Sequence, residues 1–140
     1  MEQAAARTFV DQWVKAWNAH DLDTLLAHFD EDVVFTSPVA ARLLPSSGGV
    51  VRGKTALREY WTEGLLRLPD LHFEVIAMYV GVATLVINFR NQQGDVANEV
   101  LVFDGPLVVQ GHGTVQRDAG AERSAQESES ASFDAVNASA

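Results

Sequence analysis

Residues 97–114, ANEVLVFDGPLVVQGHGT, read as two strands joined through an Asp104-Gly105-Pro106 turn. The flanks are rich in β-branched residues and the centre holds the residue types that turns require. Two more strand candidates, residues 71–79 and 84–91, lie just before this pair, now delimited as 96–103 and 107–115. The breaks between them fall at Gly81 and Gln93-Gly94. Connections this short join antiparallel hairpins, so the second half of the chain is expected to form a meander.

The first half carries a different period. Between residues 2 and 19, Phe9, Val10, Trp13, Val14 and Trp17 recur at steps of one, three and four, the stripe of an amphipathic helix. Asn18-Ala19-His20 breaks it, and Asp21 is placed to cap a second helix with Leu22, Leu25, Leu26 and Phe29 on its inner face. His20 and His28 fall off that face and read as solvated. Asp30-Glu31-Asp32 is expected to end the helix as a solvated turn. It lacks the spaced oxygen ligands of a hard-metal site. Residues 33–37 form a short strand stopped by Pro38.

Residues 41–49, ARLLPSSGG, have loop composition but include Leu43 and Leu44, which suit either a lid or packing against the core. Val50-Val51-Arg52 is a short strand and Gly53 a turn. Residues 54–68 are a third helix that buries Leu57, Tyr60, Trp61 and Leu65 and ends at Pro69. Helices first and a meander afterwards is an α+β pattern. The expected architecture is three N-terminal helices packed on a curved, mainly antiparallel sheet, forming a cone with one pocket. Residues 1–116 make the domain. Residues 117–140 are an Ala-, Ser- and Glu-rich tail expected to be disordered, with a brief helix near residues 132–137 as the alternative.

Composition narrows the functions. The 140-residue chain carries a formal charge of −9 and only ten Lys and Arg residues, scattered along its length, so no nucleic-acid partner is expected. It has no cysteine, which removes thiolate nucleophiles and sulfur-ligated metals. No apolar run approaches the roughly 20 residues that span a bilayer, and the first residues lack a signal-peptide layout, so no membrane partner and a cytoplasmic setting are expected.

The apolar hairpin is interrupted at Glu99 and His112, where ionisable side chains are out of place. If its turn has two residues, Glu99 lies opposite His112 or Gln110 on one face; a three-residue turn reverses this. The same parity across Gln93-Gly94 sets Asn88 opposite Glu99. Asn88, Glu99 and His112 would then form a polar row, with Trp13, Trp17, Tyr60, Trp61 and Leu101 as apolar surroundings. A Glu-His couple in such a pocket can hold a proton near neutral pH and suits cofactor-free acid-base work on a small apolar substrate. The competing arrangement has both residues on the outer face as a cross-strand pair. His112 has no second histidine at ligand spacing, so no metal is expected.

Residues 13–38, WVKAWNAHDLDTLLAHFDEDVVFTSP, and 49–61, GVVRGKTALREYW, resemble the nuclear transport factor 2-like superfamily and, within it, the SnoaL-like group. That group includes ketosteroid isomerase, polyketide cyclases and limonene epoxide hydrolase. The resemblance covers roughly residues 8–116 and implies the cone fold, commonly a homodimer through the open sheet face. It sets Ser37 where the isomerase has its general base, Trp13 where it has an oxyanion tyrosine, and Glu99 where it has a protonated carboxylic acid. The cyclases' last-strand His-x-Asp corresponds to His112-Gly113-Thr114, which keeps the histidine only. The epoxide hydrolase's Arg-x-Asp has no counterpart, since Arg90 is followed by Asn91 and Gln92. Two functions follow: cofactor-free isomerisation, cyclisation or hydration with Glu99 and His112 as a couple, or a non-catalytic binding or dimerisation module. An open cavity on which both side chains converge favours the first, and one plugged by Trp13, Trp17 and Leu101 the second.

Overall fold

The computed structural model describes residues 1–119. The stripe near the start falls on helix α1 (Gln3–Asn18), which buries Ala6, Phe9, Val10, Trp13, Ala16 and Trp17. Asn18 fastens its end to the chain at Phe73. Its side-chain oxygen accepts the Phe73 N–H at 2.7 Å and its amide donates to the Phe73 carbonyl at 3.0 Å. His20 takes a left-handed conformation (φ 55) and sets its ring nitrogen 3.0 Å from the Leu71 carbonyl, so it is part of this clamp and not a solvated residue.

Asp21 caps α2 (Leu22–Leu26), accepting the Thr24 N–H at 3.1 Å and the Thr24 hydroxyl at 2.6 Å. These bonds hold its carboxyl below the usual range. The helix is shorter than its apolar pattern suggests, because Phe29 already belongs to β1 (Phe29–Thr36). Asp30, Glu31 and Asp32 therefore lie in the strand, where its pairing with residues 108–112 is irregular between Phe29 and Val34. The Asp30 carboxylate accepts the Asp32 N–H at 2.9 Å, a local bond that competes with the ladder. His28 is half-buried edge-on to Phe9, and burial lowers its pKa.

Pro38 ends β1 by starting a helix, which makes four α-helices among the described residues where three are expected. Ser37 Oγ accepts the N–H groups of Val39 (3.0 Å) and Ala40 (3.4 Å), capping α3 (Pro38–Leu43). Proline at the first helical position loses no bond there. A 3-10 turn, Pro45–Ser47, follows. The two leucines divide between the readings: Leu43 packs against the core and Leu44 is 42% exposed. Gly48 and Gly49, at φ 63 and 86, return the chain to β2 (Val50–Arg52), and α4 (Lys54–Arg67) follows.

The meander comprises β3 (Glu74–Val80), β4 (Thr84–Arg90), β5 (Val96–Asp104) and β6 (Leu107–Gly113). The sheet order is β2-β1-β6-β5-β4-β3, antiparallel except for the parallel β1–β6 pair. The helices cover one face. The core between them is aromatic, with Trp13 stacked on Phe73 (5.8 Å), Trp17 edge-on to Trp61 (5.0 Å) and Trp61 edge-on to Phe35 (5.4 Å). Gly111 makes room for that last ring, since a Cβ there would lie 2.7 Å from Phe35. Nearly all of the expected tail, including its alternative helix, lies outside the described residues.

Candidate functional site

Strand register decides which side chains meet. The last hairpin does turn through two residues, Gly105 and Pro106, with Asp104 opposite Leu107 and Phe103 opposite Val108. One step later Val102 faces Gln110, leaving Val109 as a bulge. An extra residue in one strand moves every later partner by one and reverses the face it shares. Glu99 therefore meets Gly113, and His112 meets Val100.

The preceding hairpin departs from parity for its own reason. Its loop has five residues, 91–95, organised by Asn91, whose side-chain oxygen accepts the N–H groups of Gln93 and Asp95, both at 3.0 Å. Arg90 donates to the Gly94 carbonyl at 3.2 Å and closes the same loop. Asn88 consequently meets Asn98, to whose side chain it donates at 2.8 Å, and Ile87 meets Glu99.

The expected row of Asn88, Glu99 and His112 is thus not formed. Glu99 points to the helix-covered face. Asn88 and His112 sit on the open face, where His112 Nδ1 lies 2.6 Å from Thr36 Oγ1. A Glu99–His112 proton couple is ruled out by this register.

Glu99 is fully buried, with Ala97 and Leu101 on its own strand and Ile87 and Gly113 beside it. Among the described residues neither carboxyl oxygen has a hydrogen-bond partner. Desolvation pushes its pKa well above the usual carboxylate range, which favours the uncharged acid. The indole N–H groups of Trp13 and Trp17 are likewise buried without an acceptor. Each such orphan costs about 1–3 kcal/mol.

Tyr60 and Ser37 complete the polar interior. The Tyr60 hydroxyl donates to Ser37 Oγ at 3.3 Å. Burial, with a smaller contribution from nearby Glu99, raises its pKa, so it too stays protonated. Ser37 holds the position where the isomerase-like pattern has a base, but its oxygen is committed to the α3 cap. The signal for that role was Ser-Pro at a strand end, a cap followed by a first-turn proline. The interior can donate protons, and Glu99 can take one back after giving its own away. No three metal-ligating side chains converge among the described residues.

Trp13, Trp17, Tyr60, Trp61 and Leu101 all lie in the core, where the Trp17 and Trp61 rings meet edge-on. An open groove of about 540 Å³ lies beside it, between α3 and α4, and Tyr60 is part of its lining. No helix among the described residues is long and apolar enough to cross a membrane.

Comparison with known proteins agrees with this architecture. The family model of the SnoaL-like domain matches residues 10–121. A SnoaL-like protein from Burkholderia thailandensis is 38% identical, with a TM-score of 0.79 over 83% of this chain and 98% of that one. AclR from Streptomyces galilaeus, a proposed hydroxylase, is 19% identical with a TM-score of 0.65, covering 87% and 96% of the two chains. A proposed polyketide cyclase from Sinorhizobium meliloti is 12% identical with a TM-score of 0.64, covering 76% and 94%. These last two likenesses concern the fold alone. No curated protein matches the sequence. With a domain match over most of its length and a relative of the same type at 38% identity, the chain belongs to the SnoaL-like family.

Proposed function

We propose that the protein takes a small apolar molecule carrying a carbonyl or hydroxyl oxygen into its cone, and that uncharged Glu99 acts there as a cofactor-free acid. One observation carries this reading: a fully buried carboxyl with both oxygens unpartnered. Native interiors pair such groups almost without exception, and a ligand oxygen would restore the missing bond. Trp13 and Trp17 offer two more donors, and with Trp61 and Leu101 they supply apolar walls. Because both Glu99 oxygens are unpartnered, one carboxyl can perform a complete tautomerisation. It passes its proton to a carbonyl oxygen while its second oxygen takes one from the adjacent carbon, leaving an enol and the acid unchanged. That dispenses with the base missing at Ser37. The hydroxylase and polyketide cyclase assignments of the two distant neighbours accord with chemistry on oxygenated apolar molecules.

A second reading is a binding or dimerisation module without chemistry, favoured by the full burial of Trp13, Trp17 and Leu101 in the core. The helix-free sheet face, with Val34, Thr36, Val86, Val100, Val102 and His112, suits association of two copies in either case. Native mass spectrometry of protein from its own host, followed by Glu99→Gln and His112→Ala, separates the readings. We expect a co-purified neutral ligand whose turnover is lost in Glu99→Gln and kept in His112→Ala. Turnover unchanged in Glu99→Gln contradicts the acid assignment, and a retained ligand that no variant converts supports the module.

A further inference from the structure

The sheet has two edges, and they are built differently. At one end β2 has three residues and closes on exposed Arg52, so it offers little backbone to another strand. At the other end β3 runs for seven residues, EVIAMYV, without proline, lysine or arginine, and among the described residues it pairs with β4 alone. Its register shows which backbone groups are left over. Gly81 donates its N–H to the Thr84 carbonyl at 2.7 Å, so the alternate residues Gly81, Tyr79 and Ala77 turn their backbone groups to β4. Met78 and Val80 turn theirs to the open edge. Apolar side chains gather on the same segment. Of the six large apolar residues exposed among the described residues, four are Ile76, Tyr79, Val80 and Val82, the last 94% exposed.

We propose that β3 docks on β3 of a second copy of this chain, the two strands running antiparallel about a two-fold axis at Tyr79 and joining both sheets into one. Outward residues must face outward residues, so the backbone allows an axis at Met78, Tyr79 or Val80. An axis at Met78 sets Val82 against Glu74, and one at Val80 sets Ile76 against Thr84. At Tyr79 all four exposed apolar side chains meet apolar partners. Tyr79 faces Tyr79 as a cross-strand aromatic pair, Val80 faces Met78 and Val82 faces Ile76. The occupant follows from charge. Glu74 is the one charged residue of the strand, and this register leaves the two Glu74 carboxylates at opposite ends, about 30 Å apart. The edge therefore complements itself, as a two-fold interface requires. It is distinct from the helix-free face, where Val102 and His112 lie.

Sedimentation equilibrium of the full chain should show a dimer. Val80→Pro deletes an outward N–H without taking a bond from β4. Tyr79→Lys changes an exposed side chain and keeps the test decisive if the proline variant does not fold. We expect each folded variant to raise the dissociation constant about tenfold or more. Disulfide trapping reads the placement. The chain has no cysteine, so a single introduced thiol bonds only between copies. Tyr79→Cys at the axis has the short separation a disulfide needs, and should form a covalent dimer about ten times faster or more than Leu66→Cys, comparably exposed on α4. A monomer at millimolar concentration, or a dimer that the folded variants leave intact, overturns the proposal. So does a dimer weakened by His112→Ala alone, which puts the contact on the helix-free face, and so do equal trapping rates at positions 79 and 66. Slow hydrogen exchange of the Met78 and Val80 amides that persists on dilution to monomer means that the chain covers its own edge, and overturns it as well.

Discussion

Replacing Glu99 by glutamine tests whether the buried acid is uncharged, through the pH dependence of folding. The folded carboxyl has its pKa raised by desolvation, whereas the unfolded chain titrates near the ordinary value of 4.5. Above that value the unfolded state has released a proton that the native state still holds. Stability from this group is therefore full below about pH 4.5 and declines as pH rises toward the folded pKa. One proton gives a slope of at most about 1.4 kcal/mol per pH unit. From pH 5 to pH 7 the parent should lose stability relative to Glu99→Gln, by at most about 2–3 kcal/mol, because the amide keeps the shape but does not titrate. Other ionisable groups, including half-buried His28, are common to both proteins and cancel in the difference. Urea unfolding of both across pH 5–7 measures it directly. Parallel stability curves would mean that Glu99 ionises as freely in the fold as in the unfolded chain, and the acid assignment would fall.

Three other substitutions probe the scaffold. Gly111→Ala puts a methyl 2.7 Å from the Phe35 ring, and such overpacking should cost about 1–3 kcal/mol, read from the shift in urea midpoint. Ser37→Ala removes the α3 cap and the Tyr60 acceptor together and should cost about 0.5–2 kcal/mol by the same assay. His112→Ala should leave any interior chemistry untouched, because its ring lies on the open face against Thr36, and should weaken self-association if copies meet there. Sedimentation of parent and variant over a concentration series reports the second effect.

The amphipathic stripe of α1, the cap at Asp21 and, to within two residues, the spans of β2, β4, β5 and β6 were legible, since each depends on local period or on one residue type at one position. What escaped depended on counting. The bulge at Val109 sits in a run of valines that looks the same with or without it, yet it alone turns His112 from the face of Glu99. Asn91 lengthens its hairpin loop to five residues by bonding its own backbone, and that displaced Asn88. The start of β1 was hidden because Phe29 also suits the buried stripe of α2, and α3 because Ser37-Pro38 stops a strand and starts a helix with the same two residues. Glu99 was visible as a charge in an apolar run. Its lack of a hydrogen-bond partner among the described residues was not, because that depends on Ile87 and Gly113 standing beside it.

The central claim is that one glutamic acid stays protonated inside this protein at neutral pH. Carbon-13 NMR of the side-chain carboxyl carbons, with glutamate labelled and Glu99→Gln used for assignment, observes that proton state without reference to ligand or rate. The account predicts a single glutamate carbon at the protonated position at pH 7, absent from the variant. A Glu99 carbon at the carboxylate position at that pH would contradict it.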